Sequence, residues 1–136
     1  MVTEWARKLV HIASLVGAVL VITSASASAA SLHSSWTELL SNHVKDGVVD
    51  YRAFKDNEEQ LQRYLDLLAA TDPQQLSEAD QLAYYINGYH SYTVKLILDN
   101  FKDGKPPSSI RRIGGLFSNP WKISFAVLDG KTYSLD

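Results

Sequence analysis

Apolar residues recur at helical spacing in three stretches of this chain and alternate with polar ones in a fourth. Leu39, Leu40 and Val44 follow Ser35-Trp36-Thr37-Glu38, a capping box with serine at the N-cap and glutamate three residues on. That predicts a first helix, ended by Asp46-Gly47. Val48-Val49-Asp50-Tyr51 then reads as a short extended or turn segment. A second helix is predicted over about 55–70, where Leu61, Tyr64, Leu65 and Leu68 form one stripe opposite Glu58, Glu59, Gln62 and Arg63. Thr71-Asp72-Pro73 stops it, because the residue before a proline is pushed out of the helical region. Ser77, with Asp80 three residues on, caps a third and longest helix running to about Phe101.

The segment 82–98, LAYYINGYHSYTVKLIL, is apolar almost all the way round. At about 100° per residue, Leu82, Tyr85, Tyr89, Thr93 and Leu96 share one face, with Ile86 and Ile97 beside them. Ala83, Asn87, His90, Ser91, Val94 and Leu98 share the opposite face, and Tyr84, Lys95 and Asp99 mark a wet edge. A helix apolar on two faces sits between layers. After Gly104, Lys105-Pro106-Pro107-Ser108-Ser109 is a rigid loop and Gly114-Gly115 another turn. Residues 121–127 alternate as a strand does, Asp129-Gly130 is a two-residue hairpin signal, and 131–135 return as the partner strand. The expected class is α+β: three helices organised around a long central buried helix, followed by a C-terminal β-hairpin. A lone two-stranded hairpin is marginal in water, so an incomplete domain that lacks further strands is expected.

The first thirty residues change this picture. Arg7 and Lys8 precede an apolar run of fourteen residues, 9–22, which is short against the ~20 needed to span a bilayer. Ala25-Ser26-Ala27 and Ala27-Ser28-Ala29 follow as overlapping cleavage sites. Basic start, apolar middle and small-residue end read as a signal peptide over 1–30, with an uncleaved membrane anchor as the alternative. Residues 31–136 are then the mature chain, exported to a periplasmic or extracellular space, with no stable membrane anchor after cleavage. The chain has no cysteine, which rules out disulfides, a thiol nucleophile and an N-terminal lipid on cysteine. Its formal charge is −2, and loss of Glu4, Arg7 and Lys8 leaves −3. Only Arg111-Arg112 interrupts that balance, so nucleic acid is not an expected partner.

The candidate chemistry lies in the central helix. Asn87 and His90 are three residues apart, and Asn87 and Ser91 four, so all three can meet one neighbour. With Tyr89 they form either a pocket or a buried polar cluster. In a pocket His90 serves as acid or base and Asn87 as an oxyanion donor; in a cluster Asn87 ties down a neighbouring backbone. His33 and His43 have no ligand-spaced partner, so no metal or other cofactor is expected. Trp36 and Trp121 read as core anchors, and Asp50 and Tyr51 as turn residues, with the lining of a groove as the alternative.

The order of landmarks also carries a resemblance. Trp36-x-x-Leu39-Leu40, Gly47-Val48-Val49-Asp50-Tyr51 and Leu65-x-x-Leu68 precede Leu82-Ala83-Tyr84-Tyr85-Ile86-Asn87-Gly88-Tyr89-His90. Val94-Lys95-Leu96-Ile97, Ser109-Ile110, Trp121 and a hairpin ending in Ser134-Leu135-Asp136 follow. Over nearly the whole mature chain this resembles the family called domain of unknown function 547. The family pattern has a second asparagine at the position of His90 and usually alanine at that of Gly88, so no catalytic role for His90 is implied. Members continue into a Glu-His helix and often a Cys-Pro-Pro run, which implies that 31–136 is a truncated, N-terminal portion. Two functions are then expected. One is a binding module for an unknown protein or envelope ligand. The other is a hydrolase or acyl-transfer enzyme, papain- or transglutaminase-like by fold analogy, whose catalytic groups lie beyond Asp136.

Overall fold

Four helices and two small antiparallel strand pairs make up the computed structural model, which describes residues 32–115 and 119–136. The α+β class and the C-terminal hairpin are as expected. The signal peptide expected over residues 1–30 lies outside the described residues. Helix α1 (Ser34–His43) begins at an N-cap His33 that makes no side-chain cap bond, so the expected Ser35–Glu38 capping box does not form. Starting one residue ahead of Ser35 buries Trp36 and Leu39 and lets the His33 ring reach Tyr64, Nδ1 to hydroxyl 2.7 Å.

Asp46-Gly47 does more than end that helix. It closes a hairpin of β1 (Val44–Lys45) and β2 (Val48–Val49), in register Val44 with Val49. Both turn residues take positive φ, 51° and 77°, as a two-residue turn of the right twist requires. Asp50 then caps α2 (Tyr51–Asp56), its Oδ1 accepting from the backbone N–H of Arg52 at 3.1 Å and Ala53 at 3.0 Å. The single helix expected over 55–70 is therefore two. Asn57 leaves helical geometry, its side chain donates back to the Ala53 carbonyl, and α3 (Glu58–Ala70) restarts behind it. The α3 stripe Leu61, Tyr64, Leu65 and Leu68 is buried as its spacing requires.

Helix α4 (Glu78–Asp99) begins at the expected Ser77 cap, where Ser77 Oγ accepts from the Asp80 N–H at 3.3 Å. Asn100 ends it, donating to the Leu96 carbonyl at 2.8 Å. Among the described residues no helix is long and apolar enough to cross a membrane. The C-terminal hairpin is shorter than expected. Asn119 and Pro120 wind residues Pro120–Lys122 into a 3-10 turn, leaving β3 (Ala126–Leu128) to pair with β4 (Lys131–Tyr133) across Asp129-Gly130.

Burial of α4 differs along its length. From Ser91 to Leu98 it is enclosed on most sides: Ser91, Tyr92, Val94 and Leu98 join the main core, and Leu96 and Ile97 a second cluster with Ile113 and Leu135. Trp36 anchors the main core, stacked on Tyr64 at 5.7 Å between ring centroids. Trp121 is half-buried against the second cluster. In the N-terminal half of α4 only one side is covered, and it is the side expected to be wet. Tyr84 is fully buried; its hydroxyl donates to the Leu68 carbonyl at 2.7 Å and accepts from the Asp129 N–H at 3.1 Å. Those bonds tie the end of α3, the start of α4 and the hairpin turn together. Burial pushes the Tyr84 hydroxyl up to about 12, so it remains a donor at every ordinary pH.

Gly88 is where the hairpin crosses α4. A Cβ built there meets Leu128 Cδ1 at 3.0 Å. Gly88→Val adds a branched side chain at that crossing and is expected to cost ~1–3 kcal/mol by overpacking. The urea midpoint reads this; an unchanged midpoint contradicts the close approach.

Candidate functional site

The polar residues expected to converge in α4 do not. Ser91 is buried, but its Oγ donates within the helix, to the carbonyls of Asn87 at 2.7 Å and Gly88 at 3.1 Å. A serine satisfied this way is spent on its own backbone. His90 is exposed, with the neighbouring Tyr89 ring edge-on at 5.8 Å. Tyr89 itself is 45% exposed and Asn87 half-buried. The four residues therefore neither form a buried cluster nor bring a base to a hydroxyl. Periodicity identified two apolar faces on this helix without telling which of them the neighbouring elements cover.

What the N-terminal half of α4 offers is an apolar stripe open to solvent. Leu82 is 62%, Tyr85 40%, Ile86 47% and Tyr89 45% exposed. Their spacing of i, i+3, i+4 and i+7 places them along one ridge. Other large exposed apolar residues, such as Val48 and Leu67, lie on separate elements. A contiguous exposed apolar surface marks an interaction site more often than does scattered exposure. Beside the stripe stands the hairpin, which crosses α4 at Gly88. Lys131 pairs with Asp129, Nζ to Oδ2 3.4 Å, and gives the stripe a polar margin.

Two histidines expected to be unremarkable occupy distinct settings. His33 packs edge-on to Tyr64, and its Nε2, like Trp36 Nε1, is buried with no partner among the described residues. Burial lowers the His33 imidazole below its ordinary 6.5, and the Asp80 carboxylate opposes that in part. The unfolded chain therefore takes up this proton first as pH falls. Stability carried by neutral His33 is present above about pH 6.5 and drains away below it. His33→Gln is expected to flatten the fall in urea midpoint between about pH 7 and pH 5; an identical acid slope in the variant contradicts this.

His43 faces a cleft of about 490 Å³ between the β1–β2 hairpin, the start of α2 and Pro106. The cleft gathers Lys45, Asp50, Tyr51 and Arg52 with His43. Asp50 and Tyr51, expected as turn residues, are the N-cap and first residue of α2, and both line this cleft. The signal was present in the sequence, since Lys45 and Arg52 flank Gly47–Tyr51, but only the hairpin brings them round one opening. Among the described residues no group of three or more His, Asp or Glu stands close enough to hold a metal ion. No family model matches this chain, and neither a curated protein nor a solved structure matches it.

Proposed function

We propose that this chain is an exported binding module, related to the domain of unknown function 547 family, whose α4 stripe docks a helix of an envelope protein. The observation that carries this reading is the exposed ridge Leu82, Tyr85, Ile86 and Tyr89. A ridge at this spacing interdigitates with the groove of another helix, the mode by which amphipathic helices are recognised. Two of the four residues are tyrosines, which combine a large apolar ring with a polar tip and concentrate binding energy at interfaces. Export is supported by Arg7 and Lys8, the apolar run 9–22 and the Ala-x-Ala sites. The family relationship rests on the Gly47–Tyr51 and Ile86–Tyr89 motifs.

Site-specific photo-crosslinking in intact cells tests the reading. A photoreactive residue at position 86, with position 59 on the exposed face of α3 as control, is expected to give one discrete heavier adduct from 86 alone. That adduct should map to a helix of the partner and vanish on Leu82→Gln with Tyr89→Gln. An adduct of twice the chain's own mass, or equal adducts from both positions, overturns the proposal.

A further inference from the structure

The cleft beside the β1–β2 hairpin lies apart from the α4 stripe and has its own chemistry. From it we infer that the cleft enclosed by Lys45, His43, Tyr51 and Arg52 binds a small organic anion, a carboxylate or phosphate carried on a compact apolar body. Its volume, about 490 Å³, falls within the ~300–1,000 Å³ range of small-molecule sites. Lys45 and Arg52 line it, and neither forms an ion pair among the described residues. That placement is local, because the chain as a whole carries a formal charge of −2.

Among the described residues Asp50 is the only carboxylate lining the cleft, and it is engaged elsewhere. Its Oδ1 accepts from the backbone N–H groups of Arg52 and Ala53, so its charge is directed at the α2 backbone. The remaining polar groups can all donate. The His43 imidazole is half-buried with its ring 5.0 Å from that of Phe54, which fixes its plane. The Tyr51 hydroxyl is raised by burial and stays protonated. Arg52 offers the planar fork that matches a carboxylate or a phosphate face. Val48, Val49 and Pro106 supply the apolar wall, and Val48 is 70% exposed at a position where a hairpin strand gains nothing from an uncovered valine. Donors on one side and an uncovered apolar wall on the other call for an anion with a hydrophobic body.

Titration of the full chain with benzoate, phenyl phosphate and benzyl alcohol tests this, followed by backbone amide shifts in NMR. At low salt, saturable shifts centred on residues 45–52 are expected with benzoate, phenyl phosphate or both, and not with benzyl alcohol. Binding by benzoate alone assigns a carboxylate ligand, and by phenyl phosphate alone a phosphate. Arg52→Gln and Lys45→Gln, both at exposed positions, should each weaken binding about tenfold at an unchanged melting temperature. Added salt should weaken it further, as exposed cations require. Absence of saturation with either anion, equal shifts with benzyl alcohol, or undiminished binding by both variants overturns the inference.

Discussion

Tyr84→Ala is expected to remove ~3–5 kcal/mol of folding stability, the range for deleting a buried aromatic ring. The loss has two parts. The ring is fully enclosed in the main core, so its removal leaves a cavity. Its hydroxyl bridges the Leu68 carbonyl and the Asp129 N–H, both of which are left without that partner. Tyr84→Phe separates the two, keeping the ring and removing the bridge, at an expected ~1–3 kcal/mol. Domains of this size have about 5–15 kcal/mol in total, so the alanine variant should unfold at much lower denaturant. Chemical denaturation of the three proteins should rank parent, Tyr84→Phe, Tyr84→Ala. A phenylalanine variant as stable as the parent contradicts the bridge between α3, α4 and the hairpin.

The neighbouring tyrosine is expected to behave in the opposite way. Leu82, Ile86 and Tyr89 face solvent, so truncating any of these should change folding stability by no more than ~0.5 kcal/mol, whereas Tyr85, whose ring packs edge-on to Tyr84 at 5.1 Å, should cost ~0.5–1.5 kcal/mol. Docking is where their effect should appear. Aromatic anchors at the centre of an interface contribute ~2 kcal/mol or more when truncated, about thirtyfold in affinity. Tyr85→Ala and Tyr89→Ala should therefore each reduce the photo-adduct at position 86 severely in a chain that folds normally. An adduct of undiminished yield in both variants contradicts the docking surface. Adjacent residues of one type thus separate the two sides of α4: Tyr84 serves the fold, and Tyr85 lies on the face proposed for docking.

Local chemistry made several elements legible in the sequence. Ser77 with Asp80 marks the start of α4, the stripe of α3 is buried as spaced, and Asp129-Gly130 turns the last hairpin. Each depends on residues within a few positions of one another. Asp46-Gly47 carried the same turn signal, yet its strands are two residues long, too short for any alternation to announce them. The break at Asn57 was hidden because the apolar stripe of α3 gives no hint of where the preceding turn stops.

The site was less legible for a different reason. Helical periodicity sorts residues onto faces but does not say which face is covered, and α4 has two apolar faces. The decision came from long-range partners: the Leu68 carbonyl and the hairpin turn draw Tyr84 inward, and Leu128 occupies the space above Gly88. Leu82, Tyr85, Ile86 and Tyr89 are turned outward as a consequence. A serine and an asparagine inside an apolar helix suggest a need for outside partners, whereas Ser91 is satisfied by the carbonyls of its own preceding turn. Lys45 and Arg52 line one opening only once a hairpin too short to be legible has formed.

Docking through the α4 stripe requires that the stripe face solvent in the folded chain. The denaturant midpoint of the Leu82→Gln, Ile86→Gln, Tyr89→Gln triple variant, measured beside Tyr84→Ala, addresses that directly. The triple variant should unfold within ~1.5 kcal/mol of the parent, the sum of three surface changes, while Tyr84→Ala falls well below it. A triple variant that unfolds as early as Tyr84→Ala means that the stripe is core, and the docking surface does not exist.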